Sequence, residues 1–497
     1  MTMTTHQISA NAARFLQRGQ HSLFIDGDRV PAAARGTIEV RNPSTHEILG
    51  HLAAGSAEDV GQAVRAARAA FNGEWSRWTP YDRQALLFRA YDLLERRFDE
   101  VAELESLDMG APISRTRGSK AGALRMVQFF AAMALSVRGE TLPNGLPGNV
   151  TTMTLKRPAG VIGGIIPWNG SLTALWWIVG AVMATGCTTV LKPATEASLS
   201  VLYLVEILHE IGLPSGVINV VTGHGSDAGN ALASHPDVDR IAFTGSTATG
   251  RQIIDASKVN IKRLQLELGG KSPDIVFADA DLDKAVPGAA MGIFGNSGQI
   301  CFAGSRILVE RSIAKEFGAR IAAYLKSLQM GSSMNLDTHI GPVISEQHRE
   351  TVLSYIEAGK SEGAELIAGG QMPDEALGRG YFVAPTVFAN VDMGMRIARE
   401  EIFGPVVSII PFDSKEDAIR IGNDTEYGLA GAVWSRDIST ALDVVDRIHA
   451  GVMWVNCYGL IDPLVGFNGA KMSGYGAKGS IAHLDTYLYT KSVYIQR

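Results

Sequence analysis

Between Pro158 and Leu268 the apolar positions fall into short runs, VIGGII, TTVLK, GVINVV, RIAFT and RLQLEL. Longer stretches with apolar residues three and four apart separate them: LTALWWIVGAVMA, SLSVLYLVEILHEI, DAGNALASH and TATGRQIIDAS. Short apolar runs bounded by turn residues predict buried strands, and the helical period predicts helices between them. Strand, helix, strand at this spacing predicts a parallel sheet with right-handed crossovers, a doubly wound α/β fold that binds ligands at the carboxyl ends of its strands.

From Lys271 a second alternation begins. DIVFAD, a helix over Leu282–Phe294, RILVE, a helix over Ile313–Leu328 and further elements past Val452 predict a second α/β domain. Upstream, Ala57–Leu107 has helical spacing with many arginines between the apolar residues, which suits a helix covering a sheet face, and Gly118–Val137 predicts another helix. Residues 1–40 read as irregular apart from the strand-like HSLFIDGDRV, NPST at Asn42–Thr45 as a turn, and GETLPNGLPGN as a loop. TTMTLKR at Thr151–Arg157 and the C-terminal YLYTKSVYIQR both alternate, predicting strands outside both cores that pair in a small sheet suited to contact with another subunit.

At 497 residues, 46% hydrophobic and 19% charged, the chain is long enough for two or three cores. A net charge of −6, from 45 basic and 51 acidic residues, leaves no electrostatic footprint for nucleic acid or an anionic membrane. Cys187, Cys301 and Cys457 are odd in number and far apart, which argues against a disulfide framework and for a reducing compartment, with the cytoplasm as the expectation. MTMTTHQISANAARF lacks the basic and apolar regions of a signal peptide, and the most apolar run, Leu172–Gly186, is too short to span a bilayer. No HExxH or paired-cysteine spacing suggests a metal.

The candidate chemistry gathers around FGNSGQICFAGSR, Phe294–Arg306. Lone Cys301 suits a nucleophile, or a buried core thiol, since free cysteine is among the most buried residue types. Three short motifs fail on context: GKSEG at Gly359–Gly363 follows a polar helix, GYGAKG at Gly474–Gly479 follows no strand, and GKS at Gly270–Ser272 lacks the upstream glycine of a phosphate loop. Three others have the expected context. TGHGSDAG and GSTATG each open a helix after a strand, suiting either a pyrophosphate at the helix N-terminus or an ordinary tight turn, and Lys192 stands at a strand end within reach of a ribose or phosphate.

Taken together the motifs resemble the aldehyde dehydrogenase superfamily along nearly the whole chain: IIPWN (Ile165–Asn169), LKPA (Leu191–Ala194), FTGS (Phe243–Ser246), ELGGKSP (Glu267–Pro273), GQICFAGSR (Gly298–Arg306), EEIFGPV (Glu400–Val406) and KMSGYG (Lys471–Gly476). The resemblance implies two doubly wound, Rossmann-like α/β domains and a small β oligomerisation domain. These divide as residues 1–137 and 158–267 for nucleotide binding, 268–476 for catalysis, and 138–157 with 477–497 as oligomerisation strands of a dimer or tetramer. It also implies NAD-linked oxidation of an aldehyde to an acid through a thiohemiacetal on Cys301, with Asn169 and the Cys301 N–H facing the oxyanion and Glu267 activating the hydrolytic water. The cofactor residues implied are Ile165, Ile166, Pro167, Trp168, Lys192, Thr195, Gly225, Gly229, Phe243, Thr244, Gly245, Ser246, Thr249, Leu268, Glu401 and Phe403.

The chain departs from the family at several points. Where relatives often carry a carboxylate after LKPA, this chain has Thr195, with Glu196 next; loss of that charge lowers the penalty for a 2′-phosphate, so NAD is favoured and NADP stays open. Gly170 and Gly295 are small where relatives have large side chains. With Ala174, Trp177, Ile300, Phe302, Ile461 and Phe467 they imply a wide, apolar tunnel for aromatic, terpenoid or long aliphatic aldehydes. No basic residue is expected there, which speaks against semialdehydes bearing a carboxylate. Ile178 and Lys478 stand where relatives have a lysine and a glutamate that relay protons, so the residues of that relay are missing here. Glu267 argues against the alternative in which coenzyme A takes the acyl group, and Cys301, Glu267 and Asn169 together argue against a non-catalytic binding protein.

Overall fold

The computed structural model describes residues 5–371, 377 and 379–497, so expectations for residues 1–4, 372–376 and 378 lie outside the described residues. An 8-stranded sheet runs in space as Gly474–Tyr475, Arg263–Glu267, Arg240–Thr244, Val161–Ile166, Thr188–Pro193, Ile218–Val220, Leu23–Ile25 and Asp28–Val30. The five strands from Arg263–Glu267 to Ile218–Val220 are mutually parallel, while Gly474–Tyr475 at one end and Leu23–Ile25 with Asp28–Val30 at the other pair antiparallel. All of Val161–Ile166 is buried, which is why the interior strands read as continuous apolar runs. The winding reverses at Val161–Ile166, opening a crevice beyond the carboxyl ends of Ile166 and Thr244.

A 7-stranded sheet follows in the order Glu365–Ala368, Thr386–Ala389, Val406–Phe412, Arg306–Glu310, Pro273–Val276, Ala430–Trp434 and Val452–Val455, parallel except at the first edge. Arg306 is fully buried at the start of its strand; its guanidinium donates to the carbonyls of Lys271 (2.9 Å), Ile421 (3.0 Å) and Gly422 (2.9 Å), which compensates much of the cost of burying the charge. A third, antiparallel sheet joins Leu488–Gln496, Val150–Pro158 and Thr141–Leu142.

Several expectations need correction. The helical run Ala57–Leu107 divides into Ala57–Asn72 and Pro80–Met109 around a 3₁₀ turn, Glu74–Arg77, because Pro80 drives the residue before it out of helical conformation. Thr79 and Asp82 form a capping box at the second start, and Gly110, at φ 83°, ends it in the left-handed region. The N-terminal segment is not irregular: it holds the helix Ala10–Leu16 and a small sheet of Gln20–His21, Ile48–Ala53 and Thr37–Arg41. Those strands are short and partly exposed, so their apolar alternation is weak. Within 477–497, Ser480–Asp485 is helical and the strand begins only at Leu488, while Gly474–Tyr475, counted with the catalytic domain, pairs with the first sheet. Cys187 is a core thiol that donates to the Tyr487 carbonyl.

Buried carboxylates fasten the long helix to its neighbours. Glu105 accepts from Leu172 N at 3.1 Å and Asp108 from Leu199 N at 2.9 Å, each at the first turn of another helix. Burial raises the pKa of both. Among the described residues no helix is long and apolar enough to cross a membrane.

Candidate active site

The helix Leu282–Phe294 runs into a turn at Gly295–Gly298 in which Asn296 (φ 52°), Ser297 (φ 56°) and Gly298 (φ 74°) are all left-handed. Only glycine fits at Gly298, where a Cβ would lie 2.0 Å from the Gly404 carbonyl oxygen. The strained turn is held by its own polar groups: Ser297 Oγ donates to Gly341 O (2.7 Å), Gln299 Nε2 to Asn296 O (3.1 Å), and Ile344 N to Gln299 Oε1 (2.9 Å). Cys301 emerges half-buried immediately after it. Asn169 reaches the same backbone, its side-chain amide donating to Gln299 O at 2.9 Å.

Glu267 ends its strand in register with Thr244 on one side and Gly474 on the other. It is 4% exposed, and neither carboxylate oxygen has a hydrogen-bond partner among the described residues. Burial pushes it up to about 7, with the charge of Lys478 opposing. Burial likewise pushes the Cys301 thiol up to about 12; Lys478 opposes this, while Glu401 and Glu267 add to it. A thiol so held is protonated at neutral pH and needs a base or a cation to react, and a carboxyl titrating near 7 suits the base.

The glycines after Glu267 are there for space. A Cβ on Gly270 would lie 2.5 Å from Cys301 O, and one on Gly269 would lie 2.1 Å from Glu401 Oε2. Glu401 accepts from Gly270 N at 3.1 Å, and burial lifts its carboxyl to about 7 against the Gly270 bond and the charge of Lys271. Phe403, at φ 57°, sets its ring edge-on to Trp168 with centroids 5.3 Å apart. His348 joins them: its Nε2–H donates to Phe403 O at 2.8 Å and its ring lies 5.6 Å from Trp168. Sequence reasoning missed His348, which sits on the first turn of a polar surface helix with no motif around it.

The other expected cofactor residues stand at or after the carboxyl ends of strands of the first sheet. Ile165 and Ile166 end one strand with Pro167 just beyond it, and Phe243 and Thr244 end its neighbour with Gly245 just beyond. Phe243 is buried, its ring against Gly245, and Leu268 is buried against Gly250, so both support the crevice from within. Ser246 caps the following helix, accepting from Thr249 N at 3.2 Å. Lys192 is buried, its pKa lowered by burial, with its stem 3.6 Å from where Gly229 would carry a Cβ. Gly225 opens not an α-helix directly but a π-helical turn, Gly225–Gly229, ahead of the short helix Asn230–Ser234. Thr195 Oγ1 donates to Gly223 O at 3.3 Å.

Of the expected tunnel residues, Phe302 and Phe467 come together edge-on (5.8 Å), and Trp454, which sequence reasoning missed, lies 5.6 Å from Phe302. Ile461 is on an exposed loop with Leu460, Leu464 and Val465. Nothing lies within 4 Å of where Gly170 would carry a Cβ. Trp177 is packed into the core between Phe130 and His483 and is not free-standing, while Ala174 is buried on the same helix. At Gly295 a Cβ would have only Ile300 (3.8 Å) and the Arg115 guanidinium (3.9 Å) near it. None of the expected lining positions is basic, but Arg115, which sequence reasoning missed, reaches this space from a distant helix, Ile113–Gly118, whose sequence carries no matching motif.

A model of the "Aldehyde dehydrogenase family" matches residues 30–493. DhaS of Bacillus subtilis is 45% identical over 497 residues, covering 100% of this chain and 99% of that protein. A betaine aldehyde dehydrogenase of Rhizobium leguminosarum is 41% identical, covering 95% of this chain and 97% of its own. The NAD+ complex of an aldehyde dehydrogenase from Bacillus cereus superposes with a TM-score of 0.96 at 40% identity, covering 99% of this chain and 100% of the other.

Proposed function

The chain belongs to the aldehyde dehydrogenase family and oxidises aldehydes, and from that premise we propose that it converts bulky, uncharged apolar aldehydes to acids with NAD as cofactor. The observation that carries the reading is half-buried Cys301 beside a buried Glu267 whose carboxylate has no hydrogen-bond partner among the described residues and whose charge acts on the thiol. The Cys301 thiolate adds to the carbonyl carbon and forms a thiohemiacetal. Asn169 Nδ2 carries two hydrogens and spends one on Gln299, which leaves the other for the oxyanion beside the Cys301 N–H; each such donor is worth about 3–4 kcal/mol of barrier. Glu267 then takes a proton from the water that attacks the thioester, and the C–S bond breaks to regenerate the thiolate. Acid formed without coenzyme A separates this from the acyl-transferring alternative.

A dinucleotide fits the crevice residues. The stem of buried Lys192 stands beside Gly229, Gly225 faces open space, and the Ser246 turn opens a helix at the strand reversal. Lys192, Thr195, Trp168, Glu401 and Phe403 would hold it. When bound, the nicotinamide supplies the acceptor for the hydride of the former aldehyde carbon. Thr195 brings no charge against a 2′-phosphate, so NADP is the comparison cofactor.

Open space at Gly170 and Gly295 and the Phe302–Trp454–Phe467 group support a bulky apolar substrate. Arg115 favours a second reading, an aldehyde with an anionic or strongly accepting far end, and disfavours a cationic substrate such as betaine aldehyde. The reading also includes a cytoplasmic homo-oligomer: the three cysteines are unpaired, and the Leu488–Gln496 edge strand exposes Tyr489, Tyr494 and Ile495. The test is reduction of NAD and NADP over a panel of apolar, anionic and cationic aldehydes. Failure to reduce either cofactor with every aldehyde would overturn it.

A further inference from the structure

Lys478 follows the short strand Gly474–Tyr475 that lies against Glu267. Its backbone is fixed on both sides, its N donating to Asn468 Oδ1 at 3.1 Å and its O accepting from Phe467 N at 2.6 Å. The side chain turns back toward the end of the first sheet, where Nζ donates to Thr244 Oγ1 at 3.3 Å. Thr244 and Glu267 are register partners on adjacent parallel strands, so the ammonium is fastened to the immediate neighbour of the buried carboxyl. Ile178 supplies no second charge; it is buried, its Cδ1 3.0 Å from where Gly164 would carry a Cβ.

We propose that Lys478 is a positioning residue for the reaction: tethered at Thr244, its ammonium is the fixed positive charge against which both the Glu267 carboxylate and the Cys301 thiolate form. This rests on Cys301 and Glu267 acting as described above. In this role Lys478 gives electrostatic support in place of a proton relay.

The surrounding charges agree with this. At Glu267 the charge of Lys478 opposes the effect of burial. At Cys301 Lys478 is the charge favouring thiolate, while Glu401 and Glu267 act against it. His483, whose helix follows Lys478, is pushed down to about 3 chiefly by burial and stays neutral, so it adds no competing cation. Two buried anions in one site repel each other, and a nearby cation lowers the cost of forming each in turn.

Alkylation of Cys301 in the cofactor-free enzyme tests this without aldehyde turnover, so its failure is distinct from failure of the proposed activity. The rate of iodoacetamide labelling is followed from about pH 6 to about pH 10, with peptide mapping to separate Cys301 from the half-buried Cys457. Lys478→Met is expected to slow Cys301 labelling roughly tenfold throughout this window, the equivalent of a rise of about one unit in the thiol pKa. Lys478→Arg should match the wild type within about twofold, and Lys478→Glu should slow labelling further than Lys478→Met. If Lys478→Met does not fold, the Arg and Glu variants carry the comparison. A Met or Glu profile that superimposes on the wild type overturns the proposal, as does an Arg variant that behaves like Glu.

Discussion

The side-chain amide of Asn169 donates at 2.9 Å to the carbonyl of Gln299, in the loop that delivers Cys301. One hydrogen thus fixes the loop while its geminal partner is left for chemistry. Asn169→Ala should lower kcat by about 10²–10³ with a small change in KM. Asn169→Asp cannot donate to Gln299 and should do no better. Steady-state kinetics with a thermal melt of each variant checks this, and an active Asn169→Ala enzyme would remove Asn169 from the oxyanion site.

Glu267→Gln should separate the two half-reactions. Cofactor reduction is expected as a single burst with little turnover after it, because the acyl enzyme forms but water is not activated. Stopped-flow absorbance gives the burst size. Loss of the burst together with turnover would mean that Glu267 is needed to deprotonate Cys301 as well.

The same residue makes stability depend on pH. Its pKa rises from 4.5 unfolded to about 7 folded, so the native state binds more protons between those values and stability falls as pH rises through them. The difference amounts to about 3 kcal/mol once fully expressed above pH 7. Glu267→Gln is therefore expected to melt above the wild type near pH 8, with the gap closing toward pH 4. Differential scanning calorimetry across that window measures it.

Gly298→Ala would place a Cβ 2.0 Å from Gly404 O at a φ of 74°. Since the obstacle is backbone, the loop has to move, and stability should fall by about 2 kcal/mol or more with loss of activity. Gly269→Ala meets a carboxylate instead, Glu401 Oε2 at 2.1 Å, and should affect cofactor affinity before stability. Chemical denaturation and cofactor titration distinguish the two.

Gly170→Phe fills space that has no neighbour within 4 Å, so it should fold normally and lower kcat/KM for aromatic aldehydes about 10–100-fold while sparing short aliphatic ones. Arg115→Leu should instead penalise anionic aldehydes selectively. A panel that responds to Gly170→Phe and not to Arg115→Leu favours the apolar reading, and the reverse favours the anionic one.

Much of this was readable in the chain because parallel strands buried on both faces leave unbroken apolar runs, as at Val161–Ile166 and Arg240–Thr244. The residues around Cys301 and Glu267 were legible for a related reason: close backbone approach demands glycine at fixed positions, and Gly269, Gly270 and Gly298 each answer a contact under 3 Å. What escaped was brought in from a distance. Arg115, His348 and Trp454 reach the site from elements whose local patterns concern only their own helix or strand. The small N-terminal sheet escaped because its strands are short and half exposed.

The pairing of Glu267 with Gly474 sets an order of events during synthesis. While the ribosome is still making the second sheet, the strand Arg263–Glu267 has a neighbour on one side only, and its other edge stands open to any passing β-segment. The edge closes when Gly474–Tyr475 emerges, and Lys478 follows directly behind. A nascent chain stalled short of that point would hold nearly all of its sequence but neither a sealed first sheet nor an assembled catalytic centre, which makes it a natural client for a chaperone.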